Sequence, residues 1–382
     1  MKSRFEYMIN MLKRYNFRNL NIRLIIYVLV LTILGINVIS SATDSSVYEA
    51  KQVLGFIIGL VIMVALTLIS YNFLLRYYWI IYGLNLAMLL SVLIFGESAK
   101  GAQRWIDFGF FQIQPSEFSK ILIVLFVAQF IVKHKDKIND IKFLATLLIL
   151  YLIPLALIFK QPNLSTSIVF FILFCVIMFI AGLSYKIIGV IFAVTIPIAI
   201  ILGILVMQPN QSILAPHQYD RLVGFFEKDN EIAARIRYQQ ENSVMAIGSG
   251  GLFGKGLNNN TITSVKNANF ISEPQTDFIY TIIGEELGFV GAAAVIILLA
   301  LITFECFRAG SRAPNLAGRL ICCGFGAQIG FQAIINLAVA TMLIPNTGLT
   351  LPFVSYGLSS LTSAFAGVGL VLNIDLQRRL TY

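Results

Sequence analysis

The residues best suited to chemistry gather in 238–288, where a polar, glycine-rich stretch interrupts an otherwise apolar chain. It runs from Tyr238 through Ala246-Ile247-Gly248-Ser249-Gly250-Gly251 and Lys255 to Thr276-Asp277-Phe278 and Glu285-Glu286-Leu287-Gly288. Asp277 carries a carboxylate to the point where the chain re-enters an apolar run, and it is the candidate centre of the chemistry. Asp and Thr are also preferred helix caps, so the pattern by itself leaves capping by Thr276-Asp277 as open as catalysis. Glu285 and Glu286 fall two turns further on, where at least one must point away from lipid. Packing against a polar helix face is the modest account of both.

A second constellation lies earlier in the chain. Gly101-Ala102-Gln103-Arg104-Trp105-Ile106-Asp107-Phe108-Gly109 alternates polar and aromatic groups and leads into Gln114-Pro115-Ser116-Glu117-Phe118-Ser119-Lys120. Pro115 suits a first helical position, Glu117 falls in the positively polarised first turn, and Lys120 can pair with it at i,i+3. A capped helix start with a local ion pair would explain this much. Lys120, however, opens an apolar run, where an unpartnered ammonium is costly and ionisable groups tend to mark function. Trp105 is open to two readings, an interfacial anchor or a surface on which a substrate stacks.

Residues 248–256 end in Gly254-Lys255-Gly256, which raises the question of a phosphate loop. The Walker pattern fails: Ser249 stands in place of the first glycine, and Gly256 replaces the Ser/Thr that would hold magnesium. Two alternatives stay open. The glycines could let backbone approach a membrane-embedded ligand with Lys255 offered to an anion, or they could form a flexible turn between two short helices. Residues 346–357 (Asn346-Thr347-Gly348-Leu349-Thr350-Leu351-Pro352-Phe353-Val354-Ser355-Tyr356-Gly357) carry no charge. They read as a broken helix or re-entrant turn packed against protein, assigned shape and not chemistry.

The elements that must position these groups are membrane helices. With 58% hydrophobic residues, 12% charged residues and a mean hydropathy of +0.82, the 382-residue chain is far more apolar than a soluble domain. Its apolar blocks are long enough to cross a hydrocarbon layer of roughly 30 Å and lack the alternation of a transmembrane barrel. The expected fold is therefore all-α and polytopic, with about ten spans near 24–40, 53–73, 77–95, 116–133, 143–159, 165–183, 187–207, 283–306, 319–340 and 356–375. An external loop of about 208–277 separates spans seven and eight, between a polar, basic segment 1–23 and a short tail 377–382. The apolar stretch 24–40 has no convincing cleavage site and is expected to be the first span.

Basic residues set the expected orientation. The N-terminal segment, Arg76, Lys133, Lys135, Lys137, Lys142, Lys186, Arg308, Arg312, Arg319, Arg378 and Arg379 all fall on one side, against Lys51, Lys100, Arg104 and Lys160 in the short loops opposite. Both termini are thus expected in the cytoplasm. The net charge of +9 is scattered over short loops, which speaks against nucleic acid as a partner. Cys175, Cys306, Cys322 and Cys323 lie in or beside apolar blocks without metal-ligand spacing, as buried thiols do.

Taken together, residues 101–106, 114–117, Gln161-Pro162, 246–256, 276–278 with 285–288, and 351–356 resemble, in order, the motifs of the SEDS family. These are the polytopic bacterial proteins of shape, elongation, division and sporulation typified by RodA and FtsW. Three positions depart from the family pattern. Asn163 stands where many members have Asp after Gln-Pro, so no carboxylate role carries over to it; Gln275 replaces a histidine before Thr276-Asp277, and Leu358 replaces a glycine after Ser355-Tyr356-Gly357.

The resemblance implies a peptidoglycan glycosyltransferase of the bacterial cytoplasmic membrane that polymerises lipid II beside a class B penicillin-binding protein acting as transpeptidase. The family's essential aspartate falls on Asp277, and its acid and lysine after the Gln-Pro-Ser-Glu motif fall on Glu117 and Lys120. A prenyl-diphosphate sugar carries its own leaving group, so the enzyme must chiefly supply a base, and Asp277 takes that role. Lys120, Arg104 and Lys255 are then candidates for the departing diphosphate, with Trp105, Gln114, Ser116, Glu117, Ser249 and Thr276 completing the expected substrate site. A divalent cation, Mg or Mn, is the candidate cofactor, with Glu117 and Asp277 as candidate ligands. Two rival readings are a lipid II flippase whose path the ionisable groups line, and a non-catalytic scaffold. The motifs do not separate elongation, division and sporulation roles.

Overall fold

A computed structural model describes residues 15, 17–43, 45–99, 102–109, 111–206, 208, 219, 221, 222, 225, 226, 231–258, 264, 271 and 273–378. Most of the expected basic segment 1–23, part of the expected loop 208–277 and residues 379–382 of the tail lie outside the described residues.

Helix α1 (Ile22–Ala42) begins at Asn21, whose side chain accepts from the Leu24 N–H. It is followed by α2 (Ser46–Leu68), a short α3 (Tyr71–Arg76) and α4 (Tyr78–Phe95). Next come α5 (Pro115–Lys133), α6 (Ile141–Lys160), α7 (Leu164–Ile180) and α8 (Tyr185–Val206). A polar α9 (Glu231–Ser249) precedes α10 (Ile279–Ser311), α11 (Leu316–Ala340) and α12 (Leu358–Leu376). Eight of these are long and apolar enough to cross a membrane; α7 and the leading part of α8 are shorter apolar helices. Those ten occupy the places of the ten expected spans, and the chain is a multi-pass membrane protein. Residues near its two ends meet at one end of the bundle, where Asn19 Nδ2 donates to the Arg378 carbonyl at 3.0 Å.

Burial sorts the helices. The share of the apolar window enclosed by protein is 89% for α12, 78% for α5 and 72% for α11, against 28% for α2, α4, α6 and α10. The inner three thus form the core, and the least buried helices face lipid. The inner helices are also the less hydropathic ones. Lipid tails offer no hydrophobic drive between helices, so small and hydrogen-bonding residues such as Ser359, Thr362, Ser363 and Gly367 of α12 suit the protein interior.

Two local structures depart from the all-helical expectation. Residues 97–113 form a small antiparallel sheet of β1 (Glu97–Ala99), β2 (Ala102–Asp107) and β3 (Gln112–Ile113), in the order β1-β2-β3. The polar and aromatic alternation from 102 to 107 is therefore the period of a strand. Second, α10 breaks at Gly288, whose φ of 65° and ψ of −164° are not helical. This is a conformation glycine tolerates and other residues rarely adopt.

Candidate functional site

Asp277 lies one residue before the N-cap of α10, and the backbone around it is held from outside its own segment. The Tyr356 N–H donates to the Gln275 carbonyl at 2.9 Å, Ser355 Oγ to the Thr276 carbonyl at 2.6 Å, and Asn336 Nδ2 to the Asp277 carbonyl at 2.9 Å. Asn336 Nδ2 also reaches the Leu349 carbonyl at 2.6 Å. Three consecutive carbonyls are thus fixed by the uncharged 346–357 stretch and by α11. That stretch has the shape role expected of it, and the shape it sets is the position of the acid. Neither Thr276 nor Asp277 is the N-cap residue: Phe278 is, and no side chain caps the helix there. Thr276 Oγ1 donates back to the Glu273 carbonyl at 3.0 Å.

Two cations accompany the carboxylate. A Cβ placed on Gly348 would lie 3.1 Å from Arg221 Nη1 and 3.3 Å from Asp277 Oδ2, so guanidinium and carboxylate flank the same glycine. Gly348 has a φ of +73° and leaves that space open. Arg104, delivered by β2, donates through Nη2 to the Pro162 carbonyl. Burial, then the neighbouring Arg221, push its guanidinium down to about 10, while Asp277 pulls it back up. It remains a cation at neutral pH. Arg104 Nε and Thr347 Oγ1 are buried and meet no hydrogen-bond partner among the described residues. The site therefore holds a carboxylate, two guanidiniums and unspent donors, as a site for proton transfer beside an anion would.

The Glu117–Lys120 pair forms as expected but is enclosed. Lys120 is 0% exposed, and its Nζ contacts Glu117 Oε1 and Oε2 at 3.0 Å each and Gln332 Oε1 at 2.9 Å. An ammonium has three donors, so all are taken. Gln332 Nε2 passes the connection to the Thr350 carbonyl at 3.0 Å, and Thr350 Oγ1 lies 2.9 Å from Ser360 Oγ. With its donors engaged inside the protein, Lys120 leaves none for direct contact with a diphosphate in this arrangement. The pair braces the loop that carries Gly348.

Ser116 is likewise enclosed at 0% exposure, accepting from Gln114 Nε2 at 3.2 Å and Asn163 Nδ2 at 3.4 Å. Asn163 also caps α7 through Oδ1 on the Thr166 N–H. The Gln114 N–H donates to Ser359 Oγ at 2.9 Å, so Gln114 and Ser116 tie the start of α5 to α7 and α12. Trp105 is partly exposed on β2, opposite Glu97 in register and next to Arg104.

The glycine stretch serves the break in α10. Lys255 and Gly256 N–H groups donate to the Glu285 and Glu286 carbonyls at 3.0 and 2.9 Å, while Phe289 and Val290 N–H groups donate to the Gly251 and Leu252 carbonyls at 2.8 and 3.1 Å. Gly288 interrupts the helical ladder, and these bonds satisfy the freed groups. A Cβ on Gly254 would fall onto the Glu286 carbonyl. Lys255 is not held open for an anion: its Nζ lies 2.7 Å from Glu285 Oε1, a carboxylate only 1% exposed. Glu286 is equally buried and accepts from Ser41 Oγ at 2.6 Å. Both glutamates thus point away from lipid. Ser249 is exposed and donates to the Ala246 carbonyl at 2.7 Å.

The fit to a resident metal is poor. Among the described residues no group of three or more His, Cys, Asp or Glu could hold one, and both Glu117 oxygens are engaged by Lys120. The sequence reading also missed residues. Arg221 carried no signal, but Gln332 and Asn336 did: with Gln328 they recur every four residues on one face of an apolar helix, a polar stripe that must be buried.

Comparison with known proteins agrees with this architecture. The chain is 33% identical over 300 residues to a probable peptidoglycan glycosyltransferase FtsW of Tolumonas auensis, covering 77% of this chain and 74% of the relative. It is 32% identical over 379 residues to the probable peptidoglycan glycosyltransferase FtsW of Nitrosomonas europaea, covering 94% of each. Among solved structures it resembles a chain from work on the structural coordination of polymerization and crosslinking by a peptidoglycan synthase complex. The TM-score is 0.74 at 27% identity, over 93% of this chain and 97% of that one. It also resembles the Rod shape determining protein RodA of Thermus thermophilus, with a TM-score of 0.67 at 29% identity, over 94% and 97%. The family model of the FtsW, RodA and SpoVE cell cycle proteins matches residues 17–380, and the chain belongs to that family.

Proposed function

We propose that this protein is a peptidoglycan glycosyltransferase of cell division or elongation, polymerising lipid II at the outer face of the bacterial cytoplasmic membrane with Asp277 as general base. One observation carries the residue assignment: a carboxylate whose backbone is fixed through three carbonyls stands beside Arg221 and Arg104. The names of the relatives supply the reaction class. The bias of basic residues supplies the orientation, with the termini in the cytoplasm and Asp277 outside.

In the reaction, the 4-hydroxyl oxygen of the acceptor sugar bonds to the anomeric carbon of the donor. The bond from that carbon to the diphosphate breaks, the configuration inverts, and polyprenyl diphosphate leaves. Asp277 takes the hydroxyl proton as attack proceeds, a contribution on the order of 10²–10⁴ in rate. Arg104 and Arg221 stabilise the charge that develops on the departing diphosphate. The Lys120–Glu117–Gln332 network and the Ser355 and Asn336 bonds hold the base and its loop in place, so little reorganisation is needed during transfer. None of these steps passes through a divalent cation.

The fold shared with a chain of a peptidoglycan synthase complex supports a class B penicillin-binding protein as transpeptidase partner. The test uses purified Asp277→Asn with that partner and labelled lipid II. The expected result is a loss of glycan polymer of about 10²–10⁴-fold. Polymerisation at the normal rate would overturn the assignment, and transbilayer movement of lipid II without polymer would point to a flippase.

A further inference from the structure

At the end of the bundle opposite Asp277, α10 finishes in a second polar site. Beyond the Gly288 break, residues 289–311 alone advance on the order of 35 Å, so the two sites are far apart. A cavity of about 250 Å³ opens there between the start of α1, the end of α10 and the end of α12. Arg18, Arg23, Arg308, Arg312 and Arg378 line it, with Glu305 and Asp375 as the acids. The acids are engaged: Glu305 Oε1 pairs with Arg308 at 3.1 Å, while Asn21 Nδ2 donates to Glu305 Oε2 at 3.0 Å and to Asp375 Oδ2 at 3.3 Å. Arg23 and Arg312 are exposed, and their guanidiniums form no hydrogen bond or close ion pair among the described residues, Arg312 acting on Asp375 only through space. Five guanidiniums and two carboxylates line the cavity, an excess of positive charge suited to an anion, with Arg308 held by Glu305 and Arg378 by Asn19.

The surroundings specify which anion. Ile22 belongs to the cavity wall and is 61% exposed, and from it an outward stripe continues along α1 through Ile26, Val30 and Ile33. The spacing of four, four and three residues keeps these side chains on one helix face. Phe17, next to Arg18 in the chain, is 59% exposed. A charged cavity at the end of a membrane helix thus continues into an apolar track that runs along the hydrocarbon. A soluble phosphate would use only the first part of this arrangement, whereas an amphiphile would use both.

We propose that this cavity binds the phosphodiester headgroup of an anionic phospholipid, with the acyl chains lying along the α1 stripe. Arg23 and Arg312 are the principal contacts, and Arg308, held by Glu305, lines the inner wall. This site is separate from the chemistry at Asp277 and does not depend on that assignment.

The test is retention of added lipid by the delipidated full chain in detergent, read by native mass spectrometry, with phosphatidylglycerol, phosphatidylcholine and inorganic phosphate as probes. Phosphatidylglycerol is expected to be retained over phosphatidylcholine and to raise the thermal midpoint of unfolding. The Arg23→Gln/Arg312→Gln variant should lose retention by about fivefold for each guanidinium, and the thermal shift with it. Arg76→Gln, which removes a charge outside the cavity, should change neither. Equal retention of the two lipids, undiminished retention in the double variant, or an equal loss in Arg76→Gln would each overturn the proposal. Displacement of the lipid by millimolar inorganic phosphate would replace it with a soluble-phosphate site.

Discussion

Ser355 Oγ stands 2.6 Å from the carbonyl oxygen of Thr276, so a residue in a stretch without charge fixes the peptide that carries Asp277. The same hydroxyl accepts from the Leu351 N–H at 2.7 Å and closes the loop on itself. Ser355→Ala removes both bonds while leaving Asp277 intact. A lost buried hydrogen bond costs about 1–3 kcal/mol when its partner is left unsatisfied. The expected outcome is a fall of about tenfold or more in kcat for glycan polymerisation with KM for lipid II little changed, since the base is displaced and the binding groups are not.

Lys120 and Glu117 give a prediction that separates the single from the double variant. Lys120→Met leaves the enclosed Glu117 carboxylate without its cation, at an expected cost of about 3–5 kcal/mol. Lys120→Met with Glu117→Leu removes both charges and should recover most of the thermal stability. Polymerisation should recover in part, because the pair does not touch substrate while the loss of the Lys120–Gln332 bond leaves the loop less firmly held. Recovery of stability with activity still absent would return Lys120 to direct contact with the diphosphate.

The packing of the glycine stretch on the broken helix predicts sensitivity without chemistry. Gly254 has a φ of +78° and its missing Cβ makes room for the Glu286 carbonyl. Gly254→Ala should therefore lower the thermal midpoint, with about 1–3 kcal/mol from backbone strain alone. Gly256→Ala shares the positive φ but meets open space, and should cost less. Unfolding of both variants in detergent checks the order.

Arg104 sets a pH dependence whose sign is fixed. Burial has lowered its affinity for the proton, so it is charged below about 10 and loses charge as pH rises through that value. The ratio of wild-type to Arg104→Gln activity should stay constant from neutral pH to about 9 and shrink above about 10, where the wild-type residue also becomes neutral. A ratio that already changes near neutrality would assign the titration to another group.

Much was legible in the sequence because the physics behind it is local. Hydropathy over some twenty residues reports a span regardless of its neighbours, and the ten expected helices are present within a few residues at most ends. The Glu117–Lys120 pair follows from i,i+3 spacing alone. Asp277 could be singled out because an acid next to a long apolar run is conspicuous on one-dimensional grounds.

What the tertiary structure decided concerns partners distant along the chain. Lys120 finds Gln332 across 212 positions, which turns an ionisable group open to function into a closed brace. Lys255 finds Glu285 because both backbones meet at the Gly288 break, so a residue read as an anion ligand becomes half of an ion pair. Arg221 and Asp277, far apart along the chain, come to flank the same glycine, Gly348. Side-chain type and spacing state what each group can do, but which charge neutralises which depends on helix packing, and desolvation makes that pairing decisive in a membrane interior.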